Sequence, residues 1–186
     1  MVTIGGREVP VFLPHDGQFT PPVQHTVQDV AKALASLPAP SLGQVKQVNI
    51  DPIANPEDAF WARTYGMANF SSYMTCGSEG RIDIYPAQDP RDVKYLADTL
   101  VHETGHAWSN KAWGDDPQGP AWAPWREAVR QDGLLPSTYA GSSPAEDVAE
   151  STALYLAMKG TPLAEEYRKL YPKRFELLDR QFGGQS

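Results

Sequence analysis

Two histidines one helical turn apart, with a glutamate directly after the first, are the residues of this chain best suited to chemistry. Residues 102–106 read H-E-T-G-H, which is an H-E-x-x-H pattern. On an α-helix, residues four apart share a face and lie about 6 Å apart along the axis, so both imidazoles can reach one cation. Zinc accepts nitrogen ligands and prefers four-coordination. The spacing therefore predicts that His102 and His106 bind a zinc ion.

The glutamate between them indicates hydrolysis. Glu103 is rotated by about 100° from His102 around the helix axis, which places its carboxylate beside the metal rather than on it. From there it can take a proton from water at the metal and return it to a leaving amine, as a general base and acid. The competing interpretation is a chance pattern with Glu103 as a solvated charge. Two of the chain's four histidines lie in this one turn, which favours the metal site.

A catalytic zinc also needs a third protein ligand. The extended pattern H-E-x-x-H-x-x-G-x-x-H is excluded, because the positions that it requires to be Gly and His are Ser109 and Ala112 in this chain. Downstream, the acidic stretch at 143–151 contains Glu146 and Glu150, four residues apart and on one helical face. One of the two can bind the metal while the other accepts the free ring N–H of a ligand histidine.

The acidic stretch also has a purely structural explanation. Residues 143–146 match a capping box, in which Glu146 would only satisfy the backbone of the cap residue. Asp147 and Glu150 could likewise form a solvated acidic first turn that favours the helix dipole. Glu127 and Asp132 are the reserve candidates for the third ligand. His15 and His25 are weaker candidates, because both are expected in surface loops.

The elements that must position these groups can be predicted from local signals. Apolar residues at helical spacing predict a long helix from 89–92 to about Asn110, and a second helix from Ser143 to Lys159. Alternating side chains predict a strand at 81–85, paired across a turn with a strand at 70–75.

The ends of the chain are predicted to be less regular. Residues 1–23 are rich in Pro and Gly and are interpreted as an extended or irregular entry segment, and residues 183–186 as a flexible tail. Residues 162–182 are predicted to be helical with an interruption at Pro172. The mixed charges between Glu165 and Arg180 are interpreted as a solvated helical face.

Composition excludes several classes of protein. A chain of 186 residues with 41% hydrophobic and 21% charged residues is typical of one globular domain over 1–186. The net charge of −7 argues against nucleic acid as a partner. No apolar run approaches the roughly 20 residues of a membrane span. The single cysteine, Cys76, excludes an internal disulfide and is expected to be a small buried hydrophobe.

Residues 102–106 and 139–150 together resemble the gluzincin metallopeptidases of the anthrax lethal-factor type and the related secreted Pro-Pro endopeptidases. In that family a tyrosine precedes the metal-binding glutamate by seven residues and a second glutamate follows it by four. Tyr139, Glu146 and Glu150 reproduce both spacings. The resemblance extends over about residues 81–158.

The resemblance implies an α+β fold: a zincin-like single domain with a small, mostly antiparallel sheet, an active-site helix and a helical C-terminal half. The strand at 81–85 would be the edge strand that pairs with an extended substrate. It implies Glu103 as general base and Tyr139 as the group that stabilises the oxyanion. It implies His102, His106 and Glu146 as the zinc ligands. It implies Glu150 as a carboxylate that contacts a ligand rather than the metal itself.

The predicted function is therefore zinc-dependent endopeptidase activity on an extended peptide or protein segment, by a monomer. The resemblance suggests a secreted protease or a delivered toxin effector, although no signal peptide is visible at the start of the chain. A non-catalytic binding module of the same fold and a zinc hydrolase of non-peptide amides are the alternatives. Four tryptophans could line a proline-binding pocket or belong to the core: Trp108, Trp113, Trp122 and Trp125.

Overall fold

The computed structural model describes residues 1–14, 25–86 and 91–183, and the chain begins there with strands. β1 (Val2–Ile4) and β2 (Arg7–Val9) form an antiparallel hairpin, and β3 (Val11–Phe12) follows at once. Gly5 and Gly6, with φ of 55° and 81°, make the tight turn between β1 and β2. The segment predicted to be extended or irregular is therefore extended over most of its described residues. Its remainder and residues 184–186 of the predicted tail lie outside the described residues.

The main sheet has four strands in the order β3-β4-β6-β5, with β4 at Gln47–Ile50, β5 at Met74–Cys76 and β6 at Arg81–Ile84. β4 pairs in parallel with β3 and β6, and only β5 pairs antiparallel with β6. The prediction of a mostly antiparallel sheet is therefore wrong for this sheet. Helical connections allow the parallel pairings. The predicted edge strand is also wrong, because β6 lies inside the sheet and β5 at its edge.

Helices form most of the remaining regular structure of the described chain, and they dominate its C-terminal half as predicted. The long helix α4 begins after the cap residue Asp92, whose side chain accepts a hydrogen bond from the Tyr95 amide. It continues three residues past the predicted end, to Trp113. The helices are α1 (Val27–Ser36), α2 (Ala39–Gln44), α3 (Asp58–Tyr65), α4 (Val93–Trp113), α5 (Ala123–Asp132), α6 (Pro144–Met158), α7 (Ala164–Leu170) and α8 (Pro172–Phe182).

Two hydrophobic clusters meet at α4 and join the chain into one α+β domain. The first lies between the main sheet, α1 and the N-terminal half of α4, where Leu96 and Leu100 are fully buried. The second surrounds Trp108 at the other end of α4 and includes Trp122 and Trp125. These tryptophans are therefore core residues. None of the described helices combines the length and hydropathy needed to cross a bilayer.

Candidate metal centre

Three side-chain atoms from α4 and α6 converge on one point. The Nε2 atoms of His102 and His106 lie 3.2 Å apart. The Oε2 atom of Glu146 lies 3.2 Å from the first of these nitrogens and 3.4 Å from the second. The three atoms form a nearly equilateral triangle, and Glu146 is only 6% exposed.

The size of this triangle suits a small divalent ion. Ligand atoms bound tetrahedrally at about 2.0–2.1 Å lie about 3.3 Å from one another, because the edge of a tetrahedron is about 1.6 times its centre-to-corner distance. The observed separations of 3.2–3.4 Å match that edge. His102, His106 and Glu146 therefore form a group that could hold a metal ion.

A close crossing of α4 and α6 brings the ligands together. Gly105 lies between the two histidines, and a Cβ atom added there would stand 2.8 Å from the Cα atom of Ala149. Only glycine admits the backbone of α6 at this distance. One turn further along α4, the Trp108 indole donates to Thr152 Oγ1 at 3.2 Å. The glycine of the H-E-T-G-H motif is thus the contact point of the two helices.

The two glutamates of α6 have different positions, which resolves the alternatives left open by the sequence. Glu146 faces both histidines, whereas Glu150 Oε1 lies 2.8 Å from Nδ1 of His102. A carboxylate on Nδ1 orients the ring so that Nε2 faces the triangle. The Ser143 hydroxyl caps α6 by accepting from the Glu146 amide, at 3.2 Å, and leaves the Glu146 carboxylate available to the histidines.

The other candidate ligands lie elsewhere. Glu127 is exposed and pairs with Arg130. Asp132 binds Arg174. His25 lies outside regular secondary structure, as expected, but it is half-buried, and its ring hydrogen-bonds the Tyr73 hydroxyl. His15 lies outside the described residues.

The charges around the triangle are strongly coupled. Burial disfavours the charged form of His102, but hydrogen bonds to Glu146 and Glu150 outweigh it and raise the pKa of His102 to about 10. Burial likewise disfavours the charge on Glu146, yet hydrogen bonds to the two histidines hold its pKa well below the usual range. The carboxylates therefore keep a proton on His102, and a cation must displace that proton to bind.

Glu103 lies on the side of α4 that faces the edge strand β5. It is 7% exposed, and this burial raises the pKa of its carboxyl group. The backbone N–H of Cys76 in β5 donates a hydrogen bond to it. The Cys76 side chain is partly buried, and its burial raises the pKa of the thiol, as for an unreactive cysteine.

Tyr139 lies in a short 3₁₀ turn, Tyr139–Ser142, directly before α6. Its ring centroid is 6.0 Å from that of His102, and the residue is 42% exposed. It lines the same cleft as the metal-binding group. The structure thus brings together the six residues to which the resemblance gives a role in the site.

The cleft has a volume of about 1340 Å³ and runs along β5 and the exposed face of α4. Among the described residues that line it, carboxylates outnumber the basic side chains, which are Arg81, His102 and His106, and Arg81 pairs with Asp83 at 2.8 Å. This surplus makes the cleft attractive to cationic groups. The lining carboxylates are Asp51, Glu57, Asp83, Asp98, Glu103, Asp115, Glu146 and Glu150.

Sequence reasoning missed one group of residues beside the site. Arg174, interpreted as part of a solvated face, is 0% exposed, and Asp147, for which a solvated first turn was one alternative, is 2% exposed. A signal was available, because Arg174 is four and eight residues before Leu178 and Phe182 and so shares the buried stripe of α8. An arginine in an apolar stripe needs a buried acidic partner.

The tryptophans proposed as pocket residues do not line the cleft, which agrees with their place in the core. No protein-family model matches this chain, and a search of curated proteins finds no significant relative. The gluzincin resemblance, with the secretion or delivery that it suggests, therefore stays a prediction.

Proposed function

We propose that this protein is a zinc-dependent endopeptidase that cleaves extended peptide segments. The observation that carries the proposal is the triangle of His102 Nε2, His106 Nε2 and Glu146 Oε2, with sides of 3.2–3.4 Å, in a cleft that also contains a buried glutamate. Its dimensions and position suit catalysis by a metal ion at the floor of a substrate groove.

The donor set supports zinc as the ion. Two imidazole nitrogens and one carboxylate oxygen are a ligand set typical of catalytic zinc, whereas magnesium and calcium prefer oxygen ligands alone. Among the described residues, the metal-binding group has three members. Structural zinc sites use four protein ligands, and catalytic ones use three with a position left for solvent or substrate. The group therefore fits a catalytic site.

The neighbouring side chains supply the proton transfers. A bound zinc ion would provide Lewis acidity toward a substrate carbonyl and toward water. Glu103 takes a proton from the attacking water and passes it to the nitrogen of the leaving amine, so that the C–N bond breaks with a neutral amine as product. The Tyr139 hydroxyl donates a hydrogen bond to the carbonyl oxygen while negative charge develops there.

The edge strand supports a peptide rather than a small amide as substrate. Among the described residues, β5 pairs with β6 on one side only, and its other side borders the cleft. An extended peptide can add to such an edge through main-chain hydrogen bonds. The carboxylate-rich lining further favours a peptide with basic side chains.

Digestion of a peptide library tests the proposal. We expect the zinc-loaded protein to cleave peptide bonds, and a chelator to stop cleavage, with products identified by mass spectrometry. Glu103→Gln should bind zinc like the parental protein but lose about 10²–10⁴-fold in rate, because the proton acceptor is gone. Glu127→Gln, on the exposed side of α5, is the matched control and should keep full activity.

Three results would contradict the proposal. They are the absence of any cleaved peptide with zinc bound, cleavage that survives removal of the metal, and a Glu103→Gln variant as fast as the parental protein. Peptide binding without turnover would favour a non-catalytic binding module. Release of ammonia or another non-peptide product would favour a different amide hydrolase.

A further inference from the structure

A buried arginine links the last helix to the first turn of α6. Arg174 in α8 is 0% exposed. Its Nε and Nη2 atoms donate to the two carboxylate oxygens of Asp147, at 2.8 and 2.7 Å. Asp147 directly follows Glu146 in the sequence. The guanidinium therefore holds the residue next to a metal-binding carboxylate through a two-point contact, the most directional ion pair that proteins use.

The ion pair belongs to a closed network of three helices. The Trp125 indole of α5 donates to Asp147 Oδ1 at 3.0 Å. Asp132, at the end of α5, accepts from the Arg174 backbone amide at 3.1 Å and from its Nη1 atom at 3.2 Å. Each oxygen of Asp147 thus has a donor. Arg174 is bound through its guanidinium by both aspartates and through its backbone amide by Asp132. Such a network fixes orientation, because every member has a partner.

The network acts on a different side of α6 from the metal-binding group. Neighbouring residues on a helix differ by about 100°, so Asp147 faces α5 and α8 while Glu146 faces α4. On the α4 side, the helix contacts Gly105 through Ala149. The first turn of α6 is therefore held from two directions, by close packing on one side and by hydrogen bonds on the other.

Small rotations of this turn matter for metal binding. A carboxylate oxygen about 6 Å from a helix axis moves about 1 Å when the helix rotates by about 10°. Metal–ligand distances are kept within about 0.2 Å. A contact that prevents such rotation therefore governs how well Glu146 can complete the ligand set.

We propose that Arg174 is a positioning residue for the metal centre: by holding Asp147, it fixes the rotation of α6 at which the Glu146 carboxylate meets the two histidines. The inference rests on the metal site of the proposed function. It assigns to α8, which contributes no ligand, control over the affinity for zinc.

Arg174→Lys tests this role, because it keeps the positive charge and removes the two-point contact. We expect the variant to bind Zn²⁺ at least tenfold more weakly than the parental protein, as is typical when a residue that supports a ligand is changed. Circular dichroism should show both proteins folded at the temperature used. With Co²⁺ as the probe, the visible absorption of the variant should shift, because that spectrum reports ligand geometry rather than folding.

Arg168→Lys is the matched control. Arg168 also makes a two-point contact, with Asp179 at 2.6 and 3.2 Å, but that pair joins α7 to α8. It meets α6 at Tyr155, whose hydroxyl donates to Asp179 at 2.8 Å, about two and a half turns beyond Glu146 and away from the first turn of the helix. Its zinc affinity and cobalt spectrum should equal those of the parental protein. If Arg174→Lys does not fold, Asp147→Asn replaces it, since the amide is nearly isosteric and cannot accept at both positions.

Parental zinc affinity and an unchanged cobalt spectrum in the folded variant would overturn the inference. So would an equal loss of affinity in Arg168→Lys, because the effect would then be general. These outcomes are separate from a failure of the proposed function. A parental protein that binds no zinc contradicts both, whereas equal binding by parent and variant contradicts only the role of Arg174.

Discussion

Tyr139, like Glu103, is a catalytic candidate whose contribution can be separated from metal binding. Its ring lies 6.0 Å from the ring of His102, beside the ligands rather than among them. Tyr139→Phe should therefore leave zinc affinity and KM unchanged and lower kcat by about 10²–10³-fold, the usual effect of removing one oxyanion donor. Steady-state kinetics on a cleaved peptide give the two parameters.

The control for this substitution is Tyr167→Phe in α7, which removes a hydroxyl from a residue that does not line the cleft. Its kcat should match that of the parental protein. A Tyr139→Phe variant with parental kcat would assign the tyrosine to packing alone.

Metal binding should depend on pH through His102. Because hydrogen bonds to Glu146 and Glu150 raise the pKa of His102 to about 10, the metal-free protein carries a proton there at neutral pH. Zinc must release it, so the apparent affinity should rise about tenfold per pH unit between about pH 6 and 8. Chelator competition, corrected for the chelator's own protonation, measures this slope; a flat profile would contradict the prediction.

The same pairing of His102 with the two carboxylates makes the stability of the metal-free protein depend on pH. The folded-state pKa of His102 lies above its usual value of 6.5, so its pairing with the carboxylates stabilises the folded state fully below about pH 6.5. That contribution is lost as the pH rises toward 10.

At the scale of elements, the crossing of α4 and α6 depends on one missing side chain. In most helices Gly→Ala is stabilising by about 1 kcal/mol. At Gly105 the added Cβ would lie 2.8 Å from Ala149 Cα, so the helices must separate. Gly105→Ala should therefore lower both thermal stability and zinc affinity, the latter by at least tenfold.

Gly43→Ala in α2 is the matched control, because nothing lies within 4 Å of a Cβ added there. It should leave zinc affinity unchanged and keep or raise the melting temperature. Calorimetry and zinc titration distinguish the two glycines, and equal behaviour would show that the helix crossing tolerates a methyl group.

The helices that carry the site could be predicted because their signals are local. The cap at Ser143 and the apolar spacing of α4 lie within a few residues of the elements that they define. The choice between Glu146 and Glu150 was not accessible from spacing alone, since both share one face. It depends on where α6 crosses α4, which only the tertiary structure decides.

The sheet and the buried ion pair could not be predicted for the same reason. The parallel pairing of β4 with β6 joins strands separated by a helix and by β5, and nothing local to either strand encodes its neighbour. The partner of Arg174 lies 27 residues away, at Asp147. A periodic pattern indicates which face is buried, but it does not identify the residue that meets a buried charge.

At the scale of the whole molecule, α4 belongs to both halves of the domain. Leu96 and Leu100 pack with the sheet, and Trp108 packs with the C-terminal helices. Val101 contacts both clusters. The H-E-T-G-H motif lies between these two sets of contacts, where the halves meet.

A zinc ion bound at this junction would cross-link the two halves of the domain. Any ligand that binds only the folded state adds to its stability in proportion to the logarithm of its concentration. Here the ion joins α4 to α6, so it would also couple the melting of one half to the other. We expect scanning calorimetry to record two overlapping unfolding transitions without zinc and a single sharper one with it. The ion would then determine the cooperativity of unfolding as well as the activity.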